Sequence, residues 1–358
     1  MSRVMKAMVL TGHGGFDRYE WHEDWPVPLP GPMEVLIAVG ACGLNNTDIN
    51  TRTGWYSRTV TDATTGDARA EAGAGDAGWG GRAIRFPRIQ GADVVGSAVA
   101  VGEGADPGLV GKRVMVDAWM RDWSDPENPE KAGYFGSETD GGFAEYTRCD
   151  ARNLAVVESD LTDAELATFS CSYTTAEGML NRASVGAGDT VLVPGASGGV
   201  GGALIQLAKR RGARAIAMAS EAKQAEVAKL GPDLILPRAP GDLREALEGE
   251  TVTVVADVVG GPGWPALIDT LARGGSYTCS GAIAGPMVAL DLRSLYLRDL
   301  TFTGSTVVPS HIFRDIVGYI ERGEVSPVLA ATWPLSELRT AQQAFIDKRH
   351  VGNIVVVP

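Results

Sequence analysis

Between Thr190 and Gly202 the chain reads TVLVPGASGGVGG, a β-type apolar run that ends in small residues and opens a helix-like stretch. Ala196, Gly198 and Gly201 fall at the G/A-x-G-x-x-G spacing of a turn that cradles a pyrophosphate. The first small residue permits a tight turn. Gly198 lets backbone amides approach a phosphate with no Cβ in the way, and Gly201 lets the helix pack closely on the strand. Ser197, Gly199 and Val200 complete the loop, at the positive end of the helix dipole. The expected ligand is a dinucleotide; the competing reading is a purely structural glycine-rich turn.

Cofactor choice is read about twenty residues on, where an NAD site places Asp or Glu for the ribose 2′-hydroxyl. Here Ala217, Met218, Ala219 and Ser220 offer no acid. The Ser220 hydroxyl and the Lys223 ammonium are placed to meet a 2′-phosphate, so NADPH is expected rather than NADH, with Glu221 turned to solvent. The plainer alternative makes Ser220 an N-cap and Lys223 a solvated helix charge. Lys209, Arg210, Arg211 and Arg214 read as a helix C-terminus complementing its dipole.

Such a turn needs a parallel sheet behind it, and the flanking pattern supplies one. Strands Thr190–Val193, Ala215–Met218, Leu234–Leu236, Thr253–Asp257 and Gly275–Ser280 alternate with helices Val200–Arg211, Ala222–Leu230 and about Trp264–Leu271. Thr162 followed by Glu165 signals a capped helix start. The first ~150 residues read instead as a compact β domain, with strands Met5–Leu10, Val35–Val39, Val94–Val101 and Val114–Ala118. Helices Ile312–Glu321 and Leu335–Arg349, then strand Gly352–Val357, close the chain, and that last strand is expected to rejoin the first domain. The stretch Ser57–Arg85, framed by Trp55, Tyr56 and Trp79, is too long and too poor in apolar residues for an ordinary connection. It reads as a lid or a floppy insertion.

The 358 residues predict about two domains. A net charge of −12 argues against nucleic acid or an anionic membrane as the main partner. No apolar run approaches the ~20 residues of a membrane helix, and no signal peptide is evident. Cys42, Cys149, Cys171 and Cys279 form no CxxC and no disulfide framework. A soluble, cytoplasmic protein acting on a small molecule is expected.

Several further segments belong together: Gly43–Asp48 (GLNNTD) with Arg52, Gly54 and Tyr56; Gly91–Gly96 (GADVVG); Asp140–Tyr146 (DGGFAEY); Thr175 with Ala176; the glycine turn; and Asp257–Gly261 (DVVGG). With these the chain resembles the medium-chain dehydrogenase/reductase superfamily over nearly its whole length, and most the zinc-independent quinone oxidoreductase branch. The resemblance implies an α/β fold: a GroES-like β domain from both chain ends (1–160 and 308–358) with an inserted Rossmann doubly wound parallel-sheet domain (161–307). It further implies an active site in the cleft between them, and a homodimer. It places Thr175 and Val259 among the cofactor contacts and Asn45 near the nicotinamide, where the alternative is a turn residue bonding its own backbone.

In the alcohol dehydrogenase branch a catalytic zinc would use Cys where this chain has Asn45 and His where it has Ala92. Neither residue replaces thiolate, imidazole or carboxylate. Cys42 lies three residues early and reads as a buried hydrophobe. The stretch Asp117–Asp140 has no cysteine for a structural zinc. Without a Lewis acid the feasible chemistry is hydride addition to an electron-poor acceptor, a quinone or the activated C=C of an enone. Tyr56 or water supplies the second proton. Asn50 stands where some quinone reductases carry a second Tyr. Asp48 and Arg52 are spaced for a helical ion pair. Asn353 follows Gly352 where many relatives have Lys, and no function is carried onto it. The rival readings are an alcohol/aldehyde dehydrogenase-type C–O oxidoreductase and a non-catalytic NADPH-binding protein.

Overall fold

The computed structural model describes residues 3–67, 75–78 and 82–358. Trp79 and much of the glycine-rich stretch Gly66–Gly81 lie outside these residues.

Short apolar runs bounded by Gly and Pro give β1 (Val4–Leu10) and β3 (Glu34–Gly43), the aromatic and charged run YEWHEDWP between them gives β2 (Tyr19–Pro26), and helix α1 (Asn46–Thr53) follows. Then come β4 (Arg88–Ile89), β5 (Asp93–Val101), β6 (Arg113–Val116), β7 (Trp119–Met120), β8 (Gly133–Tyr134), β9 (Tyr146–Asp150) and β10 (Leu154–Val156). Helices α2 (Asp163–Leu166) and α3 (Ser170–Arg182) lead into an alternating series. It runs β11 (Thr190–Pro194), α4 (Gly199–Arg210), β12 (Arg214–Ala219), α5 (Glu221–Ala228), β13 (Leu234–Pro237) and α6 (Leu243–Ala246). It continues through β14 (Val252–Asp257), α7 (Trp264–Thr270), β15 (Leu271–Cys279), α8 (Leu292–Tyr296) and β16 (Thr301–Gly304). The chain closes with α9 (His311–Glu321), β17 (Leu329–Pro334), α10 (Leu338–Ile346) and β18 (Asn353–Val357).

Among the described residues β11–β16 form a six-stranded parallel sheet in the order β13-β12-β11-β14-β15-β16. The strand order reverses beside β11, and a crevice opens at the strand ends where an order reverses. The Ala196–Gly201 turn sits there, and the residues after β14 form its other wall. A second sheet runs β10-β6-β5-β3-β18-β17, with β9 also on β3. Its β18 pairs antiparallel with β3, Val355 opposite Gly43 and Val356 opposite Cys42. The chain's end thus rejoins its beginning around the parallel sheet, the GroES-like plus Rossmann arrangement that the resemblance implies. Gly352 donates its N–H to Ser197 O at 2.9 Å, so β18 is docked on the glycine turn as well.

Local chemistry explains the element ends. The Thr162 hydroxyl accepts from Glu165 N–H at 3.2 Å, and the Glu165 carboxylate accepts from Thr162 N–H at 2.8 Å, the reciprocal cap that starts α2. The last long helix is shorter than its apolar period predicts. A 3₁₀ turn takes Leu335–Glu337, and Lys348 adopts a left-handed backbone (φ 52°) just past α10.

Candidate active site

The site is built around Asp93 at the head of β5. Its Oδ2 accepts from Asn45 Nδ2 at 3.0 Å and its Oδ1 from the Cys171 N–H at 2.7 Å. One buried carboxylate therefore ties the start of α1 to the first turn of α3. Asn45 is the N-cap of α1, and its N–H donates to Asp48 Oδ2 at 2.8 Å. Burial pushes both Asp48 and Asp93 up to about 7, and the Asp93 charge adds to the shift at Asp48.

Tyr134 donates its hydroxyl to Cys171 Sγ at 3.0 Å and packs edge-on against Trp119. Burial drives the Cys171 thiol well above its ordinary range, so it stays protonated. Thr175, one turn further along α3, lies beside Cys171 and keeps partial solvent access. Tyr56 follows the end of α1. Its hydroxyl donates to Thr47 Oγ1 at 3.2 Å, and its ring meets Trp55 edge-on. Burial pushes its pKa up to about 12, so at neutral pH it is a phenol with a proton to give.

The expected Asp48–Arg52 ion pair is not formed. Asp48 is spent on the α1 cap, and Arg52 is drawn away by carbonyls: Gly14 O at 2.8 Å, Gly66 O at 3.3 Å, and Gln342 Oε1 at 3.2 Å. It also stacks over Phe16, which makes a fully buried guanidinium tolerable.

A zinc ion does not fit the residues present. Asn45 turns an amide N–H toward Asp93 and Ala92 offers a methyl group, so two of the positions a zinc would need carry no thiolate, imidazole or carboxylate. Cys42 is buried in β3 behind Gly91 and Gly142, a core residue as expected. Between Asp117 and Asp140 the chain is held by Arg121, which lies 3.6 Å from Asp117 and donates to Val308 O at 2.9 Å, and by Lys131 between Asp122 and Asp125.

The glycine turn fits a dinucleotide. Gly195 holds φ 70°, and a Cβ on Gly201 would lie 2.3 Å from Gly195 O, so α4 presses directly on the turn. A Cβ on Gly199 would lie 2.2 Å from Asn353 Oδ1. Gly198 differs, because a Cβ there meets nothing nearer than Gly195 O at 3.6 Å. Its backbone (φ −83°, ψ 170°) suits any residue, and it caps α4 with no side chain to occupy the first-turn amides. Protein packing explains Gly199 and Gly201, whereas the open space over Gly198 is a cradle. Gly198→Val is therefore expected to fold with unchanged melting temperature and to lose at least about tenfold in dinucleotide affinity by fluorescence titration. Wild-type affinity in a folded variant would contradict the cradle. Val259 lines the same turn, 2.8 Å from where a Gly195 Cβ would stand, and is held by Asp257 and Ala284.

At the tip of β12, Ser220 caps α5 without a side-chain bond. The Lys223 ammonium donates not toward Ser220 but to the backbone carbonyl of Lys348. Lys348 is solvent-accessible as a residue. Its ammonium is nevertheless packed against Asn46 Oδ1 at 3.0 Å and over the Phe345 ring. This crowding and the Lys223 charge push Lys348 down to about 7, and the Arg238 charge bears on Lys223. Sequence spacing pointed to Lys223 alone, whereas the fold gathers Lys348 and Arg238 beside it; the Lys348-Arg349-His350 run before β18 was the available signal.

Against known families, an alcohol dehydrogenase GroES-like domain matches residues 31–159 and a zinc-binding dehydrogenase domain matches residues 199–322. The crystal structure of a putative alcohol dehydrogenase from Sinorhizobium meliloti 1021 is 45% identical, covers 100% of this chain and 98% of its own, and superposes with a TM-score of 0.90. The chain belongs to the medium-chain dehydrogenase/reductase superfamily. It is also similar to acryloyl-coenzyme A reductase of Metallosphaera sedula, 27% identical over 98% of this chain and 99% of that protein. The NADPH-dependent alkenal/one oxidoreductase of Arabidopsis thaliana chloroplasts is 26% identical over 99% of this chain and 80% of its own length. Among the described residues no helix is long and apolar enough to cross a membrane.

Proposed function

We propose that this protein is a zinc-independent, NADPH-dependent reductase of carbonyl-conjugated double bonds or quinones. The observation that carries the reading is a protonated phenol, Tyr56, in a site whose Asn45 and Ala92 do not suit a zinc ion. Two relatives support it by name, one an acryloyl-coenzyme A reductase and one an NADPH-dependent alkenal/one oxidoreductase.

NADPH, when bound, supplies a hydride. The turn Ala196, Ser197, Gly198, Gly199, Val200 and Gly201 would hold the pyrophosphate on the α4 amides, Ser220 and Lys223 would meet the 2′-phosphate, and Thr175 and Val259 would stand at the nicotinamide end. As the acceptor gains the hydride, negative charge develops toward its carbonyl oxygen, and a donor aimed there lowers the barrier. Asn45 has one amide N–H fixed on Asp93, leaving its other N–H for ligand. Tyr56 gives the proton from Oη, becomes a phenolate, and recovers a proton from water. Hydride plus proton saturate the double bond.

The test is NADPH consumption with enones, quinones and aldehydes, with and without a chelator. Turnover of the first two classes, indifferent to chelator, is expected. Stoichiometric zinc with alcohol-dependent NADP reduction would favour C–O chemistry, and tight NADPH binding without turnover would favour a non-catalytic role.

We also propose a homodimer through the β16 edge. Met287 (70% exposed), Leu292, Tyr296 and Leu297 stand out beside this outermost strand of the parallel sheet. An open edge flanked by apolar side chains is covered when a two-fold copy continues the sheet. Light scattering should give twice the chain mass, and Leu292→Asp with Leu297→Asp should shift it to one. A wild-type monomer would contradict this.

A further inference from the structure

The limb beyond Tyr56 leaves the β-rich half and reaches the parallel sheet. Trp55 Nε1 donates to Asp62 O at 2.9 Å, folding the limb back over the end of α1. Thr64 then makes two contacts, one on each side. Its N–H donates to Ile283 O at 2.9 Å, in the segment after β15, and its Oγ1 donates to Asn50 Oδ1 at 3.1 Å, on α1. The Ile283 segment is in turn anchored to the wall of the crevice, with Ile283 N–H on Val258 O and Ala284 N–H on Val259 O.

Asn50 is the middle of this chain of contacts. It is buried, and its amide lies against the Tyr56 hydroxyl as well as Thr64. An amide whose oxygen accepts from Thr64 presents its Nδ2 to the other neighbour. A donor on Tyr56 Oη stabilises the phenolate left when the proton departs, and the phenol hydrogen, which rests on Thr47 Oγ1, turns from there to the acceptor. With Thr64 unable to donate, the Asn50 amide loses the contact that fixes which end faces Tyr56.

We infer that Thr64 is a positioning residue for the proton donor, fixing the Asn50 amide toward Tyr56 and holding that arrangement against the Ile283 segment beside the crevice. The inference rests on the reading of Tyr56 as proton donor and assigns a role to the described limb of the insertion. The experiment is a cycle of wild type, Thr64→Val, Tyr56→Phe and the double variant, with Thr64→Ser as the conservative replacement. Thr64→Val should lower kcat about tenfold, the size of one lost hydrogen bond, with the KM for NADPH unchanged. Thr64→Ser should restore kcat. In the Tyr56→Phe background Thr64→Val should change kcat by less than about twofold. An equal loss in both backgrounds, or no rescue by Ser, would make Thr64 merely structural and overturn the inference. A large Tyr56→Phe loss with no Thr64→Val loss would overturn the inference alone, whereas an unaffected Tyr56→Phe would overturn the proton-donor reading and the inference with it.

Discussion

Tyr56→Phe lowers kcat/KM by about a hundredfold, the low end of what a positioned general acid contributes, because water can still deliver a slow proton. The fold tolerates the change. Tyr56 spends its hydroxyl on Thr47 and its ring edge-on against Trp55, and Phe keeps the ring. NADPH affinity should be unaltered, because the glycine turn and the Lys223 cluster are untouched. The pH profile carries the same signature. With its pKa raised by burial to about 12, the phenol keeps its proton throughout the neutral and mildly alkaline range, so its titration should remove no activity until pH approaches that value. Steady-state kinetics with a fluorescence titration of NADPH checks both parts. Undiminished turnover would remove Tyr56 from the mechanism.

Lys223→Ala weakens NADPH by about ten- to a hundredfold, as expected for a charge-assisted contact to phosphate, and leaves NADH within about twofold. Under the proposed reading only NADPH would bring a 2′-phosphate to the cluster of Lys223, Lys348 and Arg238, hence the discrimination. Affinity should also depend on pH. The Lys348 pKa is depressed to about 7 by crowding and by Lys223. A phosphate beside it favours the charged ammonium and raises that pKa, so binding takes up a proton above pH 7. NADPH affinity is therefore full below about 7 and falls as pH rises through it. Removing the Lys223 charge lets the Lys348 pKa recover, which moves the fall to higher pH. Equal losses for NADH and NADPH would mean the 2′-phosphate is read elsewhere.

What was legible in the sequence follows the range of the interactions. The glycine turn, the alternation of β11–β15 with helices, and the Thr162–Glu165 cap depend on residues close in the chain, and each stands where the spacing puts it. The return of β18 to β3 was also readable, because a β-type run reappears after the last helix. Spacing was blind to pairs joined by the sheets. Asp93 meets the Cys171 amide across 78 positions, and Lys348 meets Asn46 from the opposite end of the chain. Cys171 gave no signal, being a lone cysteine at the start of a helix whose N-cap, Phe169, is not a capping residue. Strand β17 (LAATWP), whose residues alternate between half-buried and exposed, and the short β16 lack the strong apolar run that marks a strand in the sequence. The Asp48–Arg52 spacing misled outright. An i, i+4 pair is worth only a few tenths of a kcal/mol on a solvated helix, and the α1 cap and three acceptors around Arg52 compete for the same groups.

In the proposed reaction hydride goes to carbon of an activated double bond, with a protein phenol in place of a metal. It is tested most directly by following deuterium from NADPH labelled at C4 into an enone, with chelator present, and locating it by NMR. A saturated ketone carrying deuterium at the β-carbon is expected. Deuterium on the former carbonyl carbon, in an allylic alcohol formed only when zinc is restored, would contradict it.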